Sequence, residues 1–118
     1  MNVPIGNPLF LVPVMSGIIF VIMGIIMHFF PPKKINMLYG YRTPSSKKTQ
    51  EHWDFAQNYG AKTMIIAGVI LLICGLLGFV FYPSEKTGTL IGISILVIVV
   101  IGMFSRVEGA LRKKFGND

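Results

Sequence analysis

Residues 9–30 read LFLVPVMSGIIFVIMGIIMHFF and contain no Asp, Glu, Lys or Arg. A hydrocarbon core of about 30 Å is crossed by roughly 20 helical residues, so this run is long enough to be a transmembrane helix. It closes at His28, Phe29, Phe30, Pro31 and Pro32, where aromatic rings suit the headgroup zone and two prolines prevent continuation. Lys33 and Lys34 then mark the water side. At the other end, Asn7 and Pro8 supply an N-cap and a first helical residue. Pro13 lacks the N–H of a helix interior, so the helix either starts near it or kinks there. No Lys or Arg precedes the run and no small-residue cleavage pattern follows it, so it is read as a retained span rather than a removable signal peptide.

Two further runs repeat the pattern. Residues 63–82 are free of formal charge and end at Tyr82 and Pro83, again an aromatic followed by a helix breaker. After Ser84, Glu85 and Lys86, residues 87–105 are rich in Ile and Val. Their unbroken length requires a helix, because a lone strand would leave its backbone unsatisfied in lipid. A basic tail over 106–118 carries Arg106, Arg112, Lys113 and Lys114.

Composition agrees with this reading. The chain is 53% hydrophobic and 14% charged, more apolar and less charged than a soluble domain. Its net charge of +6 does not point to direct nucleic-acid binding, because the basic residues flank apolar runs instead of forming a face. The lone Cys74 excludes an intrachain disulfide and reads as a small packing residue. The expected architecture is an all-α integral membrane protein of one domain, 1–118. Three transmembrane helices (9–30, 63–82 and 87–105) carry a cytoplasmic loop and short amphipathic helix (31–61) between the first two.

Orientation follows from the cations. The first connection carries Lys33, Lys34, Arg42, Lys47 and Lys48, with Lys62 at its exit, and the tail carries four more, while the remaining connection holds only Lys86. Three spans put the first connection and the C-terminus on one side, which the positive-inside rule makes cytoplasmic, with the N-terminus outside. Gly17 and Gly24, Gly68 and Gly75, and Gly102 and Gly109 are each seven apart, and Gly88 and Gly92 form a GxxxG. Small residues on one face let helix backbones approach in lipid. A bundle this thin leaves much surface uncovered, so a homo-oligomer is expected.

The polar segment 36–58, NMLYGYRTPSSKKTQEHWDFAQN, holds nearly every side chain suited to recognition. Gly40 permits unusual backbone angles and Pro44 pushes Thr43 away from helix, so residues 39–44 read as an extended or turning piece. Ser45 or Ser46 then caps a helix through Trp53 to about Tyr59, and Gly60 allows a bend or break before the second span. Within it His52, Phe55, Ala56 and Tyr59 share one stripe, as in a helix lying at the membrane surface. Arg42 either grips a phosphate or carboxylate, with Tyr39 or Tyr41 stacked on it, or is a topology-setting charge. Trp53, Gln57 and Asn58 either anchor the helix at the interface or offer a stacking surface and amide hydrogen bonds.

Catalysis and cofactors are not indicated. Glu51 and His52 are adjacent and project differently from a helix, no HExxH or comparable metal spacing exists, and Ser45 and Ser46 lack a GxSxG elbow. Nor do the spans carry the buried ionisable residues of a coupled transporter, His28 being the nearest.

Asn36, the run Tyr39-Gly40-Tyr41-Arg42-Thr43-Pro44, Trp53 nine residues after Pro44, and Asn58 before an apolar span with Gly68 together resemble the signature of the SdpI/YfhL family of small bacterial membrane proteins. The resemblance implies an immunity function: the family's namesake protects a Bacillus producer from its own secreted antibacterial peptide and holds a transcriptional repressor at the membrane. By that likeness Asn36, Tyr39, Gly40, Tyr41, Arg42, Thr43, Pro44, Trp53, Gln57 and Asn58 form a binding motif in the bacterial cell membrane. A toxin peptide and a cytoplasmic transcriptional repressor are then the implied partners. The alternative is a lipid-binding protein, with or without an enzymatic activity, whose Arg42 grips a phosphate headgroup of the inner leaflet. Basic residues beside a membrane attract anionic phospholipids under either reading.

Overall fold

A computed structural model of the chain describes residues 6–81 and 83–116. Its elements are α1 (Pro8–Phe29), α2 (Gln50–Gly75), α3 (Leu77–Val80) and α4 (Glu85–Phe115). No strand occurs among the described residues. Three of these helices, α1, α2 and α4, are long and apolar enough to cross a membrane, so the chain is an all-helical multi-pass membrane protein.

The start of α1 follows the sequence. The Asn7 side chain accepts the Leu9 amide at 2.9 Å, with Pro8 in the first turn. Pro13 therefore lies inside the helix and does not begin it. The Asn7 amide also donates to the Phe81 carbonyl at 3.2 Å, tying the start of α1 to the segment after α3. The second apolar run is helical to Gly75, turns at Leu76 and resumes over the four residues of α3. Tyr82, expected to close that span, lies outside the described residues, as do residues 1–5, 117 and 118.

Two expectations about the polar segment change. The helix through Trp53 is capped not by Ser45 or Ser46 but by Thr49, whose hydroxyl accepts the His52 amide at 3.1 Å. It also does not stop at Gly60: α2 runs unbroken from Gln50 to Gly75. A glycine inside a helix costs about 1 kcal/mol against alanine. Here Tyr41 lies across Gly60, where an added Cβ would sit at an ordinary contact distance of 3.4 Å from the Tyr41 Cβ, and the helix runs on beneath it. The amphipathic helix is thus the polar end of the second span, standing up from the membrane and not lying along it.

The residues read as a basic tail are likewise helical through Phe115. A helix of 31 residues is about 46 Å long, well beyond a 30 Å core. The excess leaves the membrane at the same end as the polar turns of α2. There the stripe of His52, Phe55 and Tyr59 meets α4: His52 stacks on Phe115 at 4.0 Å, and Phe55 meets Phe115 edge-on at 5.8 Å. Met27, Tyr41, Ala56, Ala61, Val107 and Leu111 are buried together beneath them.

Within the apolar layer α1 and α2 approach most closely. A Cβ on Gly17 would lie 2.7 Å from the Gly68 carbonyl oxygen, and one on Gly68 2.7 Å from that of Gly17. Gly24 faces Ala61 and Ile65, and Gly75 faces Val14. Gly88 and Gly92 similarly admit the start of α1, next to Asn7 and Pro8. The third heptad pair behaves differently: Gly102 has no neighbour within 4 Å and Gly109 only the Arg112 side chain. Outside these seams Ile19, Ile73 and Ile98 are exposed, as lipid-facing side chains are.

Candidate functional site

The loop between α1 and α2 is built from side chains bonding to backbone. After Pro31 and Pro32 end α1, the Asn36 carboxamide accepts the amides of Leu38 at 2.9 Å and Tyr39 at 2.7 Å, and donates to the Lys34 carbonyl. Asn36 thereby makes a side-chain turn of the kind Asn favours. The Tyr39 hydroxyl donates back to the Phe30 carbonyl at 2.8 Å, satisfying one of the carbonyls orphaned at the end of α1. Trp53 reaches across from α2, its ring fully buried, and its indole N–H donates to the Pro32 carbonyl at 2.7 Å.

Gln57 holds the next part. Its carboxamide oxygen accepts the Tyr41 amide and its nitrogen donates to the Tyr41 carbonyl, both at 2.7 Å. One side chain thus supplies the donor and acceptor that a neighbouring strand would supply, and it is only 1% exposed. Gly40 precedes this contact with φ +102°, a region costly for residues bearing a Cβ. A Cβ there would also fall 2.5 Å from the Gln57 oxygen.

The far side of the loop is fastened to α4 by Glu108, a residue outside the family-like motif. Glu108 accepts the Tyr41 hydroxyl at 2.7 Å and the Thr43 hydroxyl at 2.9 Å on the same carboxylate oxygen. Burial alone would raise its pKa, but these hydroxyls, that of Ser45 and then the nearby Arg112 charge outweigh burial and hold the carboxyl below its ordinary value. Burial, and then the Glu108 carboxylate, push the Tyr41 phenol far upward. Glu108 lies past the apolar part of α4 and is the lone acid between Glu85 and Asp118. That isolation among cations is the signal available in the sequence. Ser46, expected only as a helix cap, is fully buried. It accepts the Thr43 amide at 2.8 Å and shares its proton between the Tyr41 and Thr43 carbonyls.

The ten motif residues therefore divide. Asn36, Tyr39, Gly40, Tyr41, Thr43, Trp53 and Gln57 build the loop and its seat on α2 and α4. Tyr41 does not stack on Arg42; its ring packs 5.4 Å from Phe104 with its hydroxyl on Glu108. Trp53 presents no face to a ligand because none of it is exposed. Arg42, Pro44 and Asn58 are exposed, and the Arg42 guanidinium has no partner among the described residues. Beside them the loop displays bare apolar side chains, Met37 at 71% and Leu38 at 93% exposure.

Comparison with known proteins gives two matches and one absence. Residues 33–105 match the SdpI/YfhL protein family, a region running from the start of the loop through the apolar part of α4. The chain is 44% identical over 62 residues to the uncharacterized protein YfhL of Bacillus subtilis (strain 168), covering 52% of this chain and 56% of that one. The likeness thus spans little more than half of the relative's length. No solved structure matches. With the family match covering the loop, its Gln57 and Trp53 braces, α2, α3 and the apolar part of α4, the chain belongs to the SdpI/YfhL family.

Proposed function

We propose that this chain is a membrane immunity-type protein that protects the cell carrying it from an antibacterial peptide, with Arg42 as its principal contact. Family membership supports the general role. The observation that carries the residue assignment is the contrast around Arg42: both flanking residues are fastened to Glu108, yet the guanidinium is exposed and unpartnered among the described residues. A cation carried on a backbone that is already fastened costs no loop ordering when it binds, and guanidinium geometry suits a carboxylate, such as a peptide's C-terminus, bidentately. The distribution of Lys and Arg favours placing this end of the bundle in the cytoplasm.

The test is resistance of a sensitive bacterial strain expressing the full chain, challenged with candidate membrane-active peptides. Wild type should protect, Arg42→Ala should lose protection at equal membrane abundance, and Arg42→Lys should retain only part of it. Protection by Arg42→Ala equal to wild type would remove Arg42 from the mechanism.

A further inference from the structure

A second surface lies at the polar end, between α2 and the last turn of α4. It is an open groove of about 570 Å³. Glu51, Asp54, Phe55, Asn58, Tyr59 and Lys62 line it from α2, and Lys114 and Phe115 close it from α4. The α2 residues fall at i, i+3, i+4, i+7, i+8 and i+11, one continuous stripe.

The order of charges along that stripe is informative. Lys62 stands just before the apolar part of α2, with Asn58 one turn further out, then Asp54 and Glu51. Asp54 is eight residues from Lys62, about 12 Å of helix, and a lysine at the membrane edge extends its ammonium outward toward water and so toward Asn58. From the membrane outward the α2 wall of the groove therefore presents a cation, an amide and two carboxylates, with Lys114 facing them from α4. Phe55 and Tyr59, both lining the groove, stack at 5.6 Å. Lys114 already covers the Phe55 ring at 4.7 Å, so that ring face is taken and the carboxylates are the groups open to a ligand's ammonium.

We infer that this groove binds the headgroup of an aminophospholipid, phosphatidylethanolamine. In a leaflet its ammonium lies at or beyond the level of its phosphate, and the two are a few ångströms apart, so phosphate at the Lys62 ammonium and Asn58 with ammonium at Asp54 follows the order along α2. The Asp54 oxygen not engaged by Gln50, whose amide lies 2.8 Å from the other, accepts an ammonium N–H. Phosphatidylcholine has no such N–H, and phosphatidylglycerol places neutral hydroxyls against two carboxylates. The inference stands apart from the immunity role and does not involve Arg42.

Native mass spectrometry of the full chain in detergent, with equal amounts of phosphatidylethanolamine, phosphatidylcholine and phosphatidylglycerol, tests it. Phosphatidylethanolamine should be retained about fivefold over each competitor, the ratio given by roughly 1 kcal/mol. Asp54→Asn should abolish the preference over phosphatidylcholine, Lys62→Ala should lower retention of all three, and Lys86→Ala, at the other end of the bundle, should change nothing. Retention led by phosphatidylglycerol, equal retention of all three by wild type, or a preference that survives both groove substitutions would each overturn the inference.

Discussion

The apolar layer and the polar end of this bundle are held by different forces. In the layer, α1 and α2 meet through glycines whose carbonyls would touch any added Cβ, and the contacts are steric. At the polar end, Trp53, Gln57, Ser46 and Glu108 each hold the loop by hydrogen bonds to named atoms. Lipid removes the hydrophobic drive between helices, which leaves close packing as the means of association. Where water returns, backbone groups of an irregular loop need partners, and buried side chains supply them. Substitutions at the two places should therefore fail in different ways.

Trp53→Ala should have the largest effect, because it empties a fully buried site and leaves the Pro32 carbonyl without its donor. Loss of a buried Trp costs about 3–5 kcal/mol. Thermal unfolding in detergent should reveal it as a large drop in midpoint, whereas Trp53→Phe, which keeps most of the ring volume, should lose less. A Trp53→Ala midpoint equal to wild type would mean that the loop is not seated by this ring. Gly17→Val comes next. It forces α1 away from the Gly68 backbone at a cost of about 1–3 kcal/mol, as for other overpacked sites. The loop bonds lie elsewhere, so protection per folded molecule should be unchanged; a change in protection beyond the loss of folded protein would join the two regions that the comparison separates.

How much of this is legible in the sequence depends on distance along the chain. The spans can be read because an uncharged run of some 20 residues fits little besides a helix in lipid, and the Asn7 cap because it acts on a residue two positions away. The role of Glu108 cannot, since its partners Tyr41 and Thr43 are 67 and 65 residues distant; its isolation among cations marks it but does not say what it binds. Trp53 is ambiguous for the same reason. Beside a membrane an indole is as suited to the interface as to a buried hydrogen bond, and only the position of Pro32 decides. Gly60 permits a break that tertiary packing against Tyr41 does not use, and the 102/109 glycine pair has the right period but no helix opposite it among the described residues.

Glu108→Gln should have a smaller effect, about 1 kcal/mol, since a charged acceptor of two hydroxyls becomes a neutral one. The same residue gives the fold an acid-sensitive contribution. Its carboxyl lies below its ordinary value of 4.5 in the folded protein, so at acid pH the unfolded chain binds the extra proton. The contribution is complete above about pH 4.5 and is lost as pH falls through the folded value. Unfolding midpoints of wild type should converge on those of Glu108→Gln in that acid window; parallel curves would show that Glu108 is not the group responsible.

The smallest effect on stability, with the largest on function, belongs to Arg42→Ala. The side chain is exposed and makes no bond among the described residues, so its removal should move the stability by no more than about 0.5 kcal/mol, as surface substitutions do. Because Tyr41 and Thr43 remain on Glu108, the loop should keep its shape. A loss of protection in this variant would then be a loss of contact and not of fold. A midpoint lowered by as much as in Glu108→Gln would place Arg42 among the residues that build the loop, and its exposure would then say nothing about a ligand. An unchanged midpoint with protection lost in Arg42→Ala, set beside a lowered midpoint with protection per folded molecule retained in Gly17→Val, would separate the contact from the scaffold within one chain.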